Sequence, residues 1–198
     1  LQPAAGSTKG ATIWCHALSV GELNALFPVA QSIHRKNPAS HLLITTQTGA
    51  GMEAARRGFP FASTIMYAPL DHPWPVNRFI HRFRPSALLV METGYWPNML
   101  IQARSEGAMV ILAQARMSEK SFNRWKRFPG ISRWLLNLFH CITVEDGGVR
   151  DKFLSLGAAS DQIRILPNTK FDTLEEIPEQ ERRLLRKRLQ LEPDDPVL

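Results

Sequence analysis

Two acidic residues stand where a parallel sheet would expose them. Glu22 closes the stretch Ser19-Val20-Gly21-Glu22, just after the apolar run "TIWCHAL". Glu92 ends the run "ALLVME" and precedes Thr93-Gly94. A carboxylate at such a place can take a proton from an alcohol, as a general base does. At a helix N-terminus the macrodipole favours the charged form, which lowers the pKa and weakens the base. Each residue also has a purely structural explanation. Ser19 and Glu22 have the spacing of a capping box, the serine accepting from the glutamate amide and the glutamate reaching back. Glu92 can cap a helix that starts at Pro97. The residues alone leave both explanations open.

Further polar residues follow the other apolar runs. "TGAGMEA" from Thr48 has the form G-x-G-x-x-A, with Asp71 about twenty residues on, as in a dinucleotide fingerprint. It follows the second apolar run, however, and polar residues intervene. A tight turn whose free amides could hold an anion is the better description. Arg116, Lys120 and Lys170 are cations in comparable places, suited equally to an anion or to solvent. His16 reads as a satisfied strand-end histidine. A Cys15–His16 dyad is excluded, because adjacent strand residues point to opposite faces.

These residues need a scaffold that gathers them. Short apolar, β-branched runs at 12–18, 41–46, 63–68, 87–92, 109–115, 141–144 and 162–166 alternate with helical patterns. The helices fall near 20–36, 50–58, 75–83, 96–106, 119–139 and 147–156, and Pro28 should kink the first. Continuously apolar strands separated by helices predict a doubly wound α/β domain, with a parallel sheet covered on both faces. In such sheets ligands bind beyond the carboxyl ends of the strands. "SVGE", "TQTGAG", "ETGYWPN", "ARMSEKS" and "PNTKFD" should therefore share one rim. The pattern spans residues 1–172. Residues 173–198 bring a charged helix near 179–190 and then "PVL", which reads as the opening of a second, truncated domain.

With 198 residues and a composition of the ordinary globular kind, the chain can bury a sizeable core. No window is apolar enough to span a membrane, and the first ten residues lack the layout of a signal peptide. Cys15 and Cys141 lie in strand-like runs and should be buried thiols in a reducing compartment. No zinc-ligand spacing occurs. The net charge of +6 favours an anionic partner. Lys120 to Trp134 mixes cations with aromatics, and Arg78 to Arg84 does so on a smaller scale. That suits an anionic membrane surface or single-stranded nucleic acid, or else a solvated helix whose aromatics face the core.

Taken together, "HALSVGE", "TTQTGAG", "METGYWPN", "ARMSEKS" and "NTKFD", in this order, resemble the N-terminal domain of the 3-deoxy-D-manno-octulosonic acid (Kdo) transferases of lipopolysaccharide synthesis. The similarity covers about residues 12–172. It implies one half of a GT-B glycosyltransferase, a Rossmann-like domain that binds lipid A or its precursor. CMP-Kdo would bind mainly to a C-terminal domain. It also implies an inverting reaction without metal or other cofactor, on the cytoplasmic face of the bacterial inner membrane. The resemblance gives Glu22 the role of catalytic base and Glu92 that of a second catalytic carboxylate. Ser19, Gly21, Thr48, Arg116, Ser118, Lys120, Asn168 and Lys170 fall to acceptor binding, with Arg56 or Arg57 as further cations. Lys120–Trp134, with Leu26 and Phe27, would rest on the membrane.

The pattern is not matched throughout. Gly94-Tyr95 replaces Glu-Leu, Gln114 replaces asparagine, "VEDGG" replaces "AQSEAD", and Pro167 and Thr169 depart from "GNLKFD". Other classes compatible with the residues are a nucleic-acid-binding α/β module, a nicotinamide-binding Rossmann-like module, and a GT-B enzyme using another nucleotide sugar. The resemblance itself implies no nucleic-acid partner.

Overall fold

The computed structural model describes residues 10–169, so the expectations for Lys170 and the helix near 179–190 lie outside the described residues. Seven strands form one sheet: β1 (Thr12–His16), β2 (His41–Thr46), β3 (Thr64–Tyr67), β4 (Pro85–Met91), β5 (Met109–Ala115), β6 (Cys141–Val144) and β7 (Ile163–Ile165). Every pairing is parallel, in the order β3-β2-β1-β4-β5-β6-β7. The doubly wound fold is thus as the alternation of runs predicts.

Helices α1 (Val20–Lys36) and α2 (Gly49–Gly58) follow β1 and β2. Next come α3 (Pro73–Phe83), α4 (Pro97–Ser105), α5 (Glu119–Trp125), α6 (Pro129–Leu136) and α7 (Gly147–Ser155). The period of two along each strand divides the core. Cys15, Leu42 and Ile44 pack with Leu23, Leu26 and Ala55 under α1 and α2. Trp14, Leu43 and Leu88 pack with Phe79, Leu100, Leu136 and Phe153 on the opposite face. Because both faces are covered, nearly every strand residue must be apolar.

Several expectations need correction. α1 runs from Val20 to Lys36 with Pro28 inside it. Leu26 is fully buried, and the Phe27 ring lies 5.7 Å from that of Phe59 and 5.9 Å from that of Phe61. Leu26 is therefore not placed to meet a membrane, and the half-buried Phe27 packs against the α1–α2 side of the core. Cys15 is buried, which pushes its thiol up to about 12, but Cys141 is only half-buried. Arg56 and Arg57 occupy the last turn of α2, whose first turn follows β2. At 1.5 Å of rise per residue, that is about 10 Å down the helix from the rim.

Candidate active site

The chain builds β2 and β3 on one side of β1 and β4 to β7 on the other, so the order reverses between β1 and β4. That reversal is the switch point at which open α/β sheets take ligands. Glu22 follows β1 and Glu92 follows β4, and the two strands pair directly, with His16 opposite Val90. Both carboxylates leave the sheet at the same end, from neighbouring strands.

Glu22 is part of the start of α1. Ser19 Oγ accepts from the Glu22 N–H at 3.3 Å. The carboxylate reaches back one residue further than a capping box requires and accepts from the Leu18 N–H at 2.6 Å. The residue is 7% exposed. Gly21 is exposed, and a Cβ there would come no nearer than 3.8 Å to another residue's heavy atom, that of Ser19 Oγ. There is room beside Gly21, while the Glu22 side chain next to it is buried.

Glu92 has a φ of 45°, in the left-handed region. So does Gln114, at 53°, at the end of the adjacent β5. Non-glycine residues there cost about 1–3 kcal/mol each, and such strain gathers at functional sites. Arg116 Nε stands 3.6 Å from Glu92 Oε2, with the arginine side chain half exposed. An ion pair this open is worth about 0–1 kcal/mol, so it orients the two groups more than it stabilises the fold.

Beyond Arg116 lies a cavity of about 420 Å³ lined by Thr93, Arg116, Ser118, Ser121, Arg124 and Trp125, among others. Two guanidinium groups and three hydroxyls suit a phosphate ester or a free carboxylate. Arg124 and Ser121 were missed in the sequence. Their signal was the i, i+3 spacing of Ser118, Ser121 and Arg124 along α5. Ser118 also caps α5, accepting from the Ser121 N–H at 3.2 Å. Lys120 is exposed on the first turn of α5.

Thr48 caps α2, accepting from the Gly51 N–H at 3.0 Å. A Cβ on Gly51 would come within 2.4 Å of Thr46 Oγ1, so that glycine is required by close packing. Asp71 is likewise occupied: its carboxylate accepts from the Asn98 and Met99 amides, at 3.3 and 2.8 Å, at the head of α4. Both landmarks of the dinucleotide pattern thus serve the scaffold, and the glycine turn stands one strand away from the switch point.

Asn168 Nδ2 donates to Glu145 Oε1 at 3.3 Å, beyond β6. His16 is only partly satisfied: Nδ1 pairs with Thr45 Oγ1 at 3.0 Å, while among the described residues no hydrogen-bond partner meets the buried Nε2. A larger groove of about 580 Å³, between β3 and α3, lies at the far edge of the sheet. Among the described residues, no three His, Cys, Asp or Glu side chains stand together as a metal site would need.

Residues 2–173 match the family model for 3-deoxy-D-manno-octulosonic-acid transferase (kdotransferase). A probable mitochondrial 3-deoxy-D-manno-octulosonic acid transferase of Arabidopsis thaliana is 36% identical over 62% of this chain and 28% of its own length. The 3-deoxy-D-manno-octulosonic acid transferase of Haemophilus influenzae is 29% identical over 81% of this chain and 38% of its own. That of Chlamydia muridarum is 27% identical over 96% and 44%. The chain thus spans less than half the length of these relatives. In solved structures the fold recurs in a UDP-N-acetylglucosamine 2-epimerase, with a TM-score of 0.62 at 15% identity, covering 83% of this chain and 50% of that one. The Neisseria meningitidis UDP-GlcNAc 2-epimerase gives 0.59 at 15% identity over 93% and 55%. That likeness is one of Rossmann-like, GT-B-type fold alone. The family match covers nearly the whole chain and takes in both carboxylates of the rim: the chain belongs to the 3-deoxy-D-manno-octulosonic-acid transferase (kdotransferase) family.

Proposed function

We propose that the chain is the acceptor-binding half of a GT-B enzyme that moves Kdo from CMP-Kdo to lipid A or its precursor. The observation that carries this reading is the departure of Glu22 and Glu92 from neighbouring strands at the switch point, with Arg116 beside Glu92. In the proposed step, a carboxylate oxygen of Glu22 takes the proton of an acceptor hydroxyl. The hydroxyl oxygen bonds to the anomeric carbon of Kdo. The bond from that carbon to the CMP phosphate breaks, and its electron pair leaves with CMP. Attack opposite the leaving group inverts the anomeric centre, and the scheme needs no metal.

Glu92 orients Glu22 or the acceptor. Arg116, Ser118 and Lys120, with Arg124, meet acceptor phosphate or carboxylate groups. Ser19, Gly21, Thr48, Asn168 and Lys170 complete the acceptor side. A second Rossmann-like domain binds the donor, and the chain alone does not transfer. The test is transfer of labelled Kdo from CMP-Kdo to a tetraacylated lipid A precursor by the full-length protein. Loss of one charged contact on the acceptor, as in Arg116→Ala, raises KM about tenfold or more. Absence of transfer by the wild type overturns the reading.

The α5–α6 segment supports a peripheral site on the cytoplasmic face of the inner membrane. Ser132, Leu135 and Leu136 turn α6 into the core, while Phe128, Ile131 and Trp134 are 58%, 62% and 49% exposed. Exposed Arg124, Lys126, Arg127 and Arg133 surround them. An apolar stripe among cations suits an anionic headgroup layer. Binding to vesicles containing anionic phospholipid should weaken with salt and fall about tenfold in a Phe128→Ser/Trp134→Ser variant. Binding to single-stranded oligonucleotides but not to vesicles is the outcome against it.

A further inference from the structure

The segment after β7 doubles back across the rim. Asn168 bonds Glu145 beyond β6, and Thr169 Oγ1 donates to the Ala25 carbonyl on α1 at 2.8 Å. This strap is tied at Pro167, whose carbonyl accepts from Gln114 Nε2 at 3.1 Å. Gln114 is 6% exposed, with the left-handed φ noted above. Its own N–H donates to Thr143 Oγ1 on β6 at 2.8 Å. The β5–β6 register shifts between Leu112 and Ala115, leaving Gln114 in a bulge that aims its side chain away from the ladder.

The residues flanking this bulge hold Glu92. The Glu92 N–H donates to the Ala113 carbonyl at 2.9 Å, and the Arg116 N–H donates to the Glu92 carbonyl at 3.1 Å. Two left-handed residues thus face each other across the ends of β4 and β5. Such a backbone persists only where its surroundings over-determine it. At Gln114 the anchors are Thr143 and Pro167, from two other parts of the rim.

We infer that Gln114 is a positioning residue. It binds strap, bulge and Glu92 into one unit, and so sets where the Glu92 carboxylate and the Arg116 guanidinium stand. The catalytic readout of this role rests on the transferase reading above.

Gln114→Met keeps the length of the side chain and removes its amide. In the full-length protein, kcat for transfer should fall about tenfold with KM within about twofold, a pattern of lost transition-state positioning. The thermal midpoint should shift by only a few degrees. Thr143→Val removes the acceptor for the Gln114 N–H and should lower kcat in the same way, while Thr143→Ser restores it. In a Glu92→Gln background, Gln114→Met should cost less than about twofold more, because residues acting as one unit are not additive. Wild-type kcat in both single variants, or an undiminished loss in the Glu92→Gln background, overturns the inference and leaves the transferase reading intact. A wild type without transfer overturns that reading instead. Hydrogen exchange then decides the positioning role without turnover. The Glu92 and Arg116 amides should exchange about tenfold faster in Gln114→Met, with the β1–β4 ladder unchanged. Equal protection of those amides overturns it.

Discussion

Glu22→Gln should lower the rate of Kdo transfer by about 10²–10⁴-fold while the protein stays folded. That corresponds to about 3–5 kcal/mol of barrier. Glutamine retains an oxygen able to accept from the Leu18 N–H, and Ser19 still caps the helix through the residue-22 amide. What disappears is the charge and the capacity to bind a proton. The loss should therefore fall on kcat and much less on KM. A residue that serves only as part of the cap behaves in the opposite way. Its removal, as in Glu22→Ala, costs about 0.5–2 kcal/mol of stability and leaves turnover alone. Single-turnover transfer and thermal unfolding, measured on both variants, separate the two roles. Near-normal transfer by folded Glu22→Gln would remove Glu22 from the mechanism.

The place of Glu22 and Glu92 at one end of neighbouring strands was legible because it follows from fold class. Alternating apolar runs predict a doubly wound sheet, and such a sheet gathers the segments after its strands on one rim. Arg56 and Arg57 were misplaced, although the same fold class argues against them, since a helix that follows a strand leads away from that rim. The orientation of α6 was not. Ile131, Trp134, Leu135 and Leu136 are all large and apolar, and in so short a helix their order does not say which face meets the core. Nor was the backbone at Glu92 and Gln114, because no residue type there announces a left-handed φ. The strap depends on contacts far apart in sequence, Thr169 with Ala25 and Gln114 with Pro167. Gln114 and Pro167 both depart from the pattern of the resembled family, and only the fold reveals that they touch.

Acidification should destabilise the domain through His16, by about 3 kcal/mol between pH 6.5 and 4. The ring is 1% exposed, and burial lowers its pKa to about 4, partly offset by the Thr45 backbone carbonyl. In the unfolded chain the ordinary value of about 6.5 returns. Between these two values the unfolded state binds a proton that the folded state refuses, so stability rises with pH across the window. The contribution is complete above pH 6.5 and is lost as the pH falls towards 4. Each pH unit inside the window is worth about 1.4 kcal/mol. Carboxylates elsewhere add their own acid dependence, so the decisive quantity is a difference. Urea unfolding of the wild type and of His16→Gln, followed from pH 7 to pH 4, should give curves that converge by about 3 kcal/mol as the pH falls. Parallel curves, or an imidazole proton resonance for His16 that titrates above pH 6, would show that the ring is charged in the folded domain. Its position at the end of β1, opposite Val90 at the switch point, makes the same measurement informative about the site. A ring kept neutral there adds no positive charge at the end of β1 at working pH, where Arg116 is one cation that faces Glu92.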